Sequence, residues 1–235
     1  TALQASGLIL CIRMYIYGIN RNNLFRKGRR PLIVGITGLP NSGKLSLSNS
    51  LVNLLGRENC LIFNDKDYKR WDDKNPILNT KSRLNPNSFD LSKLSQDLFE
   101  FTNLKSGVDN VHKQPLKRIG RKIKNLDLVL VNGSNILNLK RIRKRLDLKI
   151  FIEIDDLIKG YISKVNSRNI KTKSTPILIN EKKDQDIYVN QQKANSDLFF
   201  QILPVNRELC LEQINKGIEP KLKLNITMLN GYFHE

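Results

Sequence analysis

The stretch Gly38-Leu39-Pro40-Asn41-Ser42-Gly43-Lys44 follows the apolar run Leu32-Ile33-Val34-Gly35-Ile36-Thr37 and precedes an apolar-periodic segment from Leu45 to Leu55. This order predicts a strand, a phosphate-binding loop and a helix. Glycines at both ends of the loop let consecutive backbone N–H groups turn inward around phosphate oxygens. Lys44 adds a point charge, and the positive end of the following helix adds more. The motif is broken at its last position, where Leu45 replaces the Ser or Thr hydroxyl that would bind Mg²⁺. Ser46 sits roughly 100° further around the helix and does not take over that ligand direction.

Outward from the loop, Leu47, Leu51, Val52, Leu54 and Leu55 form one helical face, with Gly56 as the stop. Cys60-Leu61-Ile62-Phe63 reads as a second buried strand that delivers Asn64-Asp65-Lys66-Asp67-Tyr68 at its carboxyl end. Ligands of open α/β sheets bind at that end, so Asp65 and Asp67 are candidates for a base that takes a hydroxyl proton. Residues 69 to 87 predict a long loop, and Asn87-Ser88-Phe89-Asp90 predicts a cap for a helix through Leu94, Leu98, Phe101 and Leu104. Leu126 to Val131 is an apolar strand ending in Asn132-Gly133, where a kinase or nucleotide hydrolase would carry an acid. A basic helix over 137–146, a strand from Lys149 to Ile154 and a helix from Asp156 to Val165 follow. Asn166 to Gln185 predicts a mobile loop or lid, Asp197 to Leu203 a strand, and Lys221 to Met228 an edge strand. Strands alternating with helices predict a mainly parallel sheet.

The chain has 235 residues, 40% of them hydrophobic, which suits one α/β domain over 31–235 with a basic, apolar extension over 1–30. The apolar run Gly7 to Gly18 is short and interrupted by Arg13, so it predicts no transmembrane span; we expect it to pack on a partner. An Arg-rich, acid-free start suits a mitochondrial protein, with cytoplasm or plastid as the alternatives. Forty Lys and Arg against 22 Asp and Glu give a net charge of +18. From Lys113 to Lys149 basic residues far outnumber Asp127 and Asp147, the only acids there, so 113–149 is a candidate RNA or protein docking surface. Cys11, Cys60 and Cys210 are widely spaced and, with His112 and His234, suggest neither a disulfide framework nor a metal site.

The order of these residues resembles the phosphoribulokinase and uridine kinase family of P-loop kinases over about residues 31–233. The phosphate loop, the Asp-rich turn at 65–68 and Leu84-Asn85-Pro86-Asn87-Ser88-Phe89-Asp90 carry the resemblance. The stretch Asp186-Ile187-Tyr188-Val189-Asn190-Gln191-Gln192-Lys193-Ala194-Asn195-Ser196-Asp197 is similar to phosphoribulokinases in particular. The resemblance implies a three-layer P-loop NTPase-type α/β fold with a mainly parallel sheet and a C-terminal edge strand. It also implies transfer of the ATP γ-phosphate to a sugar-phosphate or nucleoside hydroxyl. Carried over residue by residue, Gly38, Asn41, Ser42, Gly43 and Lys44 match the nucleotide cradle. The catalytic Asp falls on Asp65 or, with a one-residue shift, on Lys66 beside Asp67.

Other positions depart from the family. Leu45 stands at the Mg²⁺ hydroxyl, Asn132 where the family has Glu before Gly, and Leu84 where uridine kinases place a substrate-binding Asp. The lid keeps Arg168, with Lys164, Lys171 and Lys173 nearby, where the family has several arginines. These losses put Mg²⁺ in doubt while ATP remains the expected cofactor. One preorganised donor lost costs roughly 10²- to 10³-fold in rate. The expectation from sequence is therefore a degenerate kinase acting as a non-catalytic accessory subunit of a larger, mitochondrial assembly of protein subunits. The alternatives are an active small-molecule kinase and, third, an RNA-associated basic protein.

Overall fold

The computed structural model describes residues 31–71, 75–79, 81–103, 128–167 and 182–229. The 1–30 extension, Arg168, Lys171 and the 113–127 part of the basic stretch lie outside the described residues. Six strands form one sheet in the order β2-β3-β1-β4-β5-β6. They are β1 (Leu32–Gly38), β2 (Cys60–Asn64), β3 (Leu128–Asn132), β4 (Leu148–Ile154), β5 (Leu198–Pro204) and β6 (Leu222–Met228). The first five run parallel and β6 closes the edge antiparallel to β5. This is the mainly parallel α/β fold that the strand–helix alternation implied.

Strand β1 is buried along its whole length, which a continuous apolar run requires of a central strand covered on both faces. Alternation of side chains then sorts the core into two halves. One face carries Ile33, Leu61, Phe63, Val129 and Val131 against Leu94, Leu98 and Phe101 of helix α2 (Leu91–Asn103). The other carries Val34, Ile36, Leu130, Leu148, Ile150 and Phe200 against Leu51 and Val52 of helix α1 (Lys44–Leu55). The N-terminus of α2 is capped as its sequence predicts, the Lys93 N–H donating to Asp90 Oδ1 at 3.0 Å.

Two local expectations are corrected. The basic helix expected over 137–146 is a single turn, α3 (Lys140–Arg143), because the buried Ile136 and Leu137 belong to the turn after β3 and Leu139 is extended. The Arg143 guanidinium then folds back onto the Leu137 and Asn138 carbonyls. Of the stretch expected as a mobile loop or lid over 166–185, residues 168–181 lie outside the described residues, and the ends on either side are helical. Helix α4 (Asp156–Ser167) runs into it, and Asp184 at its far end accepts from Ser82 N and Oγ at 3.1 and 2.8 Å. Helix α5 (Arg207–Asn215) packs Cys210 against Ile154 and Ile158. No helix among the described residues is long and apolar enough to cross a membrane.

Candidate active site

The carboxyl ends of β1, β2 and β3 converge, and each delivers one part of the site. Strand β1 ends in Gly38 at φ +142°, where a Cβ would meet the Ile152 carbonyl oxygen at 2.1 Å; only glycine fits. Asn41 at φ 61° and Gly43 at φ 87° complete the left-handed turns that aim the loop backbone inward, and Gly43 caps α1. Ser42 is fully buried, and its Oγ has no hydrogen-bond partner. Lys44 Nζ donates to the carbonyls of Gly38 and Leu39 at 2.9 and 2.5 Å. Burial pulls its pKa from 10.5 down to about 8, opposed by the nearby Asp65 carboxylate and assisted by Lys66.

Strand β2 delivers Asp65, the residue that follows its last, and Asp65 is 5% exposed. Its Oδ2 accepts from the Ser134 N–H at 2.8 Å. Burial pushes its pKa up, while the Ser134 N–H and the Lys44 and Lys66 charges pull it down. Gly133 makes room for it: a Cβ there would lie 2.6 Å from Asp65 Oδ2. Asp67, the other sequence candidate, is exposed, so of the two only Asp65 faces the interior beside Lys44.

Strand β3 ends at Asn132, 2% exposed, whose Nδ2 donates to Ser48 Oγ at 2.7 Å. Ser48 Oγ in turn donates to the Lys44 carbonyl at 3.0 Å, and Asn132 Oδ1 is left buried without a partner. Leu45 is 49% exposed at the start of α1 and offers no donor atom. Among the described residues no three His, Cys, Asp or Glu side chains form a cluster that could hold a metal ion.

The cradle fits a polyphosphate. Left-handed Asn41 and Gly43, a buried Ser42 hydroxyl without a partner and a buried Lys44 ammonium lie within one short loop, and an orphaned buried hydroxyl costs free energy until a ligand satisfies it. For a magnesium ion travelling with the phosphates, the residues offer Asn132 Oδ1 as an acceptor for a hydrating water and nothing at Leu45. Sequence reading missed Ser48, Gly133 and Ser134. Ser48 follows Lys44 by four residues and so lies on its helix face, a signal that could have found it; Ser134 acts through its backbone and carries none.

Comparison with known proteins agrees with this geometry. Residues 33–208 match the model of the Phosphoribulokinase / Uridine kinase family. A uridine kinase of Leuconostoc citreum is 30% identical over 139 residues, 56% of this chain and 66% of that protein. A uridine kinase of Lactiplantibacillus plantarum is 25% identical over 149 residues, 57% of this chain and 66% of the relative. The chain thus spans slightly less than two thirds of the length of these curated relatives. In fold it is similar to the phosphoribulokinase structure from Rhodobacter spheroides, with a TM-score of 0.60 and 15% identity over 88% of this chain and 83% of that one. The strand order, the phosphate loop and a family match across three quarters of the sequence place this chain in the phosphoribulokinase / uridine kinase family.

Proposed function

We propose that the chain is an ATP-dependent kinase that phosphorylates a hydroxyl of a small polar acceptor, a nucleoside or a sugar phosphate. Asp65 is the observation that carries this: a buried carboxylate at the end of β2, held by a backbone N–H and facing the phosphate-loop lysine. Family membership and the uridine kinase relatives support an active kinase over the accessory-subunit role expected from Leu45 and Asn132.

Asp65 accepts the acceptor's hydroxyl proton as its oxygen attacks the γ-phosphorus, and the bond to the β-phosphate oxygen breaks to release ADP. Lys44 exchanges its loop carbonyls for phosphate oxygens and, with the loop N–H groups, offsets the charge of the transferring group. Magnesium carried in with ATP would neutralise phosphate charge there, and Asn132, fixed on Ser48, is the residue that would hold its hydration shell.

The test is ADP release by the purified chain from ATP and a panel of uridine, cytidine and ribulose 5-phosphate. Acceptor-dependent turnover that falls about 10²–10⁴-fold in Asp65→Asn supports the proposal. ATP binding without turnover on any acceptor refutes it and favours the second reading, a non-catalytic member of the family, for which the exposed Leu45 is the specific observation.

A further inference from the structure

The stretch 186–197, which resembles phosphoribulokinases, shares a buried cluster with the phosphate loop through Val189 and Leu39. Its one fully buried amide is Gln192, in the turn Asn190–Asn195. That amide uses both ends. Its Oε1 accepts from Leu137 N at 2.8 Å and Thr37 Oγ1 at 3.2 Å. Its Nε2 donates to the Ser134 carbonyl at 2.7 Å and the Tyr188 carbonyl at 2.8 Å. Thr37 lies in β1 one residue before Gly38, Leu137 and Ser134 lie in the turn after β3, and Tyr188 lies in the segment leading to β5. One side chain therefore ties together three segments that are distant in sequence.

Ser134 is held at both of its backbone polar groups. Its carbonyl is bound by Gln192, and its N–H donates to Asp65. We propose that Gln192 is a positioning residue: by clamping the Ser134 carbonyl it fixes the N–H that orients the Asp65 carboxylate. A role limited to filling space would not need an amide. Buried polar groups are costly unless every one is satisfied, and all four hydrogen bonds here land on backbone or hydroxyl groups next to the site. A hydrocarbon of the same volume would leave the Tyr188 carbonyl and the Leu137 N–H without this partner, and would leave the Ser134 carbonyl only the longer contact from Thr37 Oγ1 at 3.4 Å. The turn after β3 would relax, and the Ser134 N–H would swing off Asp65.

The catalytic meaning rests on Asp65 being the base, but the geometric claim does not. The measurement is therefore the titration of the Asp65 carboxyl carbon by NMR in the full chain, assigned with Asp65→Asn. The charged groups facing Asp65 are Lys44 from α1 and Lys66 from its own turn, and both stay in place in every variant used. In Gln192→Met the Asp65 midpoint moves up, because the N–H that favoured its charged form is lost. In Phe101→Leu, a comparably buried core change on α2, the midpoint does not move. Where an acceptor is turned over, Gln192→Met lowers kcat/KM about 10- to 100-fold and leaves ATP affinity within twofold. Should Gln192→Met fail to fold, Gln192→Ala, which likewise adds no charge, removes the donor facing Ser134. It gives the same upward shift. An unmoved Asp65 titration in either folded variant overturns the proposal, and so does the failure of both variants to fold, which would make Gln192 a strut of the fold alone. Absence of kinase turnover with the shift intact would instead refute only the role of Asp65 as base.

Discussion

Gly133→Ala isolates the packing that places the candidate base. The backbone at Gly133 is in a conformation open to any residue, so the effect comes from the added methyl alone. An alanine Cβ would sit 2.6 Å from Asp65 Oδ2 and 2.7 Å from its Cβ and Cγ, and contacts must open beyond 3.0 Å. Asp65 then moves by at least about 0.4 Å, away from a Ser134 N–H at 2.8 Å. Overpacking costs about 1–3 kcal/mol and weakening a hydrogen bond to a charged group about 1.5–3 kcal/mol, so we expect a loss near 3 kcal/mol. A misplacement of 1 Å costs about 10²-fold in rate, so this one costs about tenfold. The assay is urea denaturation of wild type, Gly133→Ala, Asp65→Ala and the double variant. Asp65→Ala removes Oδ2 and Cγ, two of the three crowding atoms, so the Gly133→Ala penalty shrinks by at least about 1 kcal/mol in that background. Additive penalties, agreeing within about 0.5 kcal/mol, would refute the reasoning.

The titration of the site makes two further predictions. Lys44, at about 8 in the free protein, regains its proton when phosphate oxygens replace the loop carbonyls. ATP binding therefore takes up a proton between about pH 8 and 10, seen by calorimetry in buffers of different ionisation enthalpy and absent in Lys44→Met. Asp65 is the opposite case: its folded pKa is raised above 3.8, so the native state binds its proton more tightly than the unfolded chain. Wild type loses stability from this group as pH rises through that window, and the loss persists at pH 7. Asp65→Asn removes it, so Tm at pH 7 rises while turnover falls about 10²–10⁴-fold. A lower Tm would contradict the sign.

How far the sequence carried these conclusions depended on the distance over which each feature is encoded. Strand β1, its loop and α1 were legible because apolar run, glycines and helical periodicity lie within 24 residues of one another. The choice between Asp65 and Asp67 was open in sequence. Alternation settles it in the structure, because Asp65 shares the phase of the buried Leu61 and Phe63, and the chain turns before Asp67. The helix expected over 137–146 failed because its apolar residues answer to long-range partners. Leu137 N–H belongs to Gln192, 55 residues away, and no local pattern announces that. For the same reason Gln192 stood in the sequence only as part of the phosphoribulokinase-like stretch 186–197, with no role of its own. Its bond to Thr37 spans 155 positions.

Two of the departures read from the sequence, Leu45 and Asn132, acquire a meaning once the charges are placed. Lys44 and Asp65 are buried near one another, and each opposes the burial-driven shift of the other. A glutamate at 132, the neighbour of Gly133 and so of Asp65, would add a second buried carboxylate beside that pair. Like charges disfavour ionisation, so the second acid would push Asp65 further toward its protonated form, in which it cannot accept a proton. Asparagine avoids this. Its Nδ2 is satisfied by Ser48, and its Oδ1 is a buried neutral acceptor that brings no charge. Asn132→Glu alone should therefore lower turnover at pH 7 and move the acid limb of the pH–rate profile upward. Leu45→Ser, which adds a hydroxyl at an exposed position without touching the carboxyl balance, should change turnover less than about threefold while tightening magnesium dependence. If instead Asn132→Glu with Leu45→Ser raises activity from nothing to ordinary turnover, the charge balance is not what keeps Asn132, and the native chain is catalytically silent for want of its metal ligands.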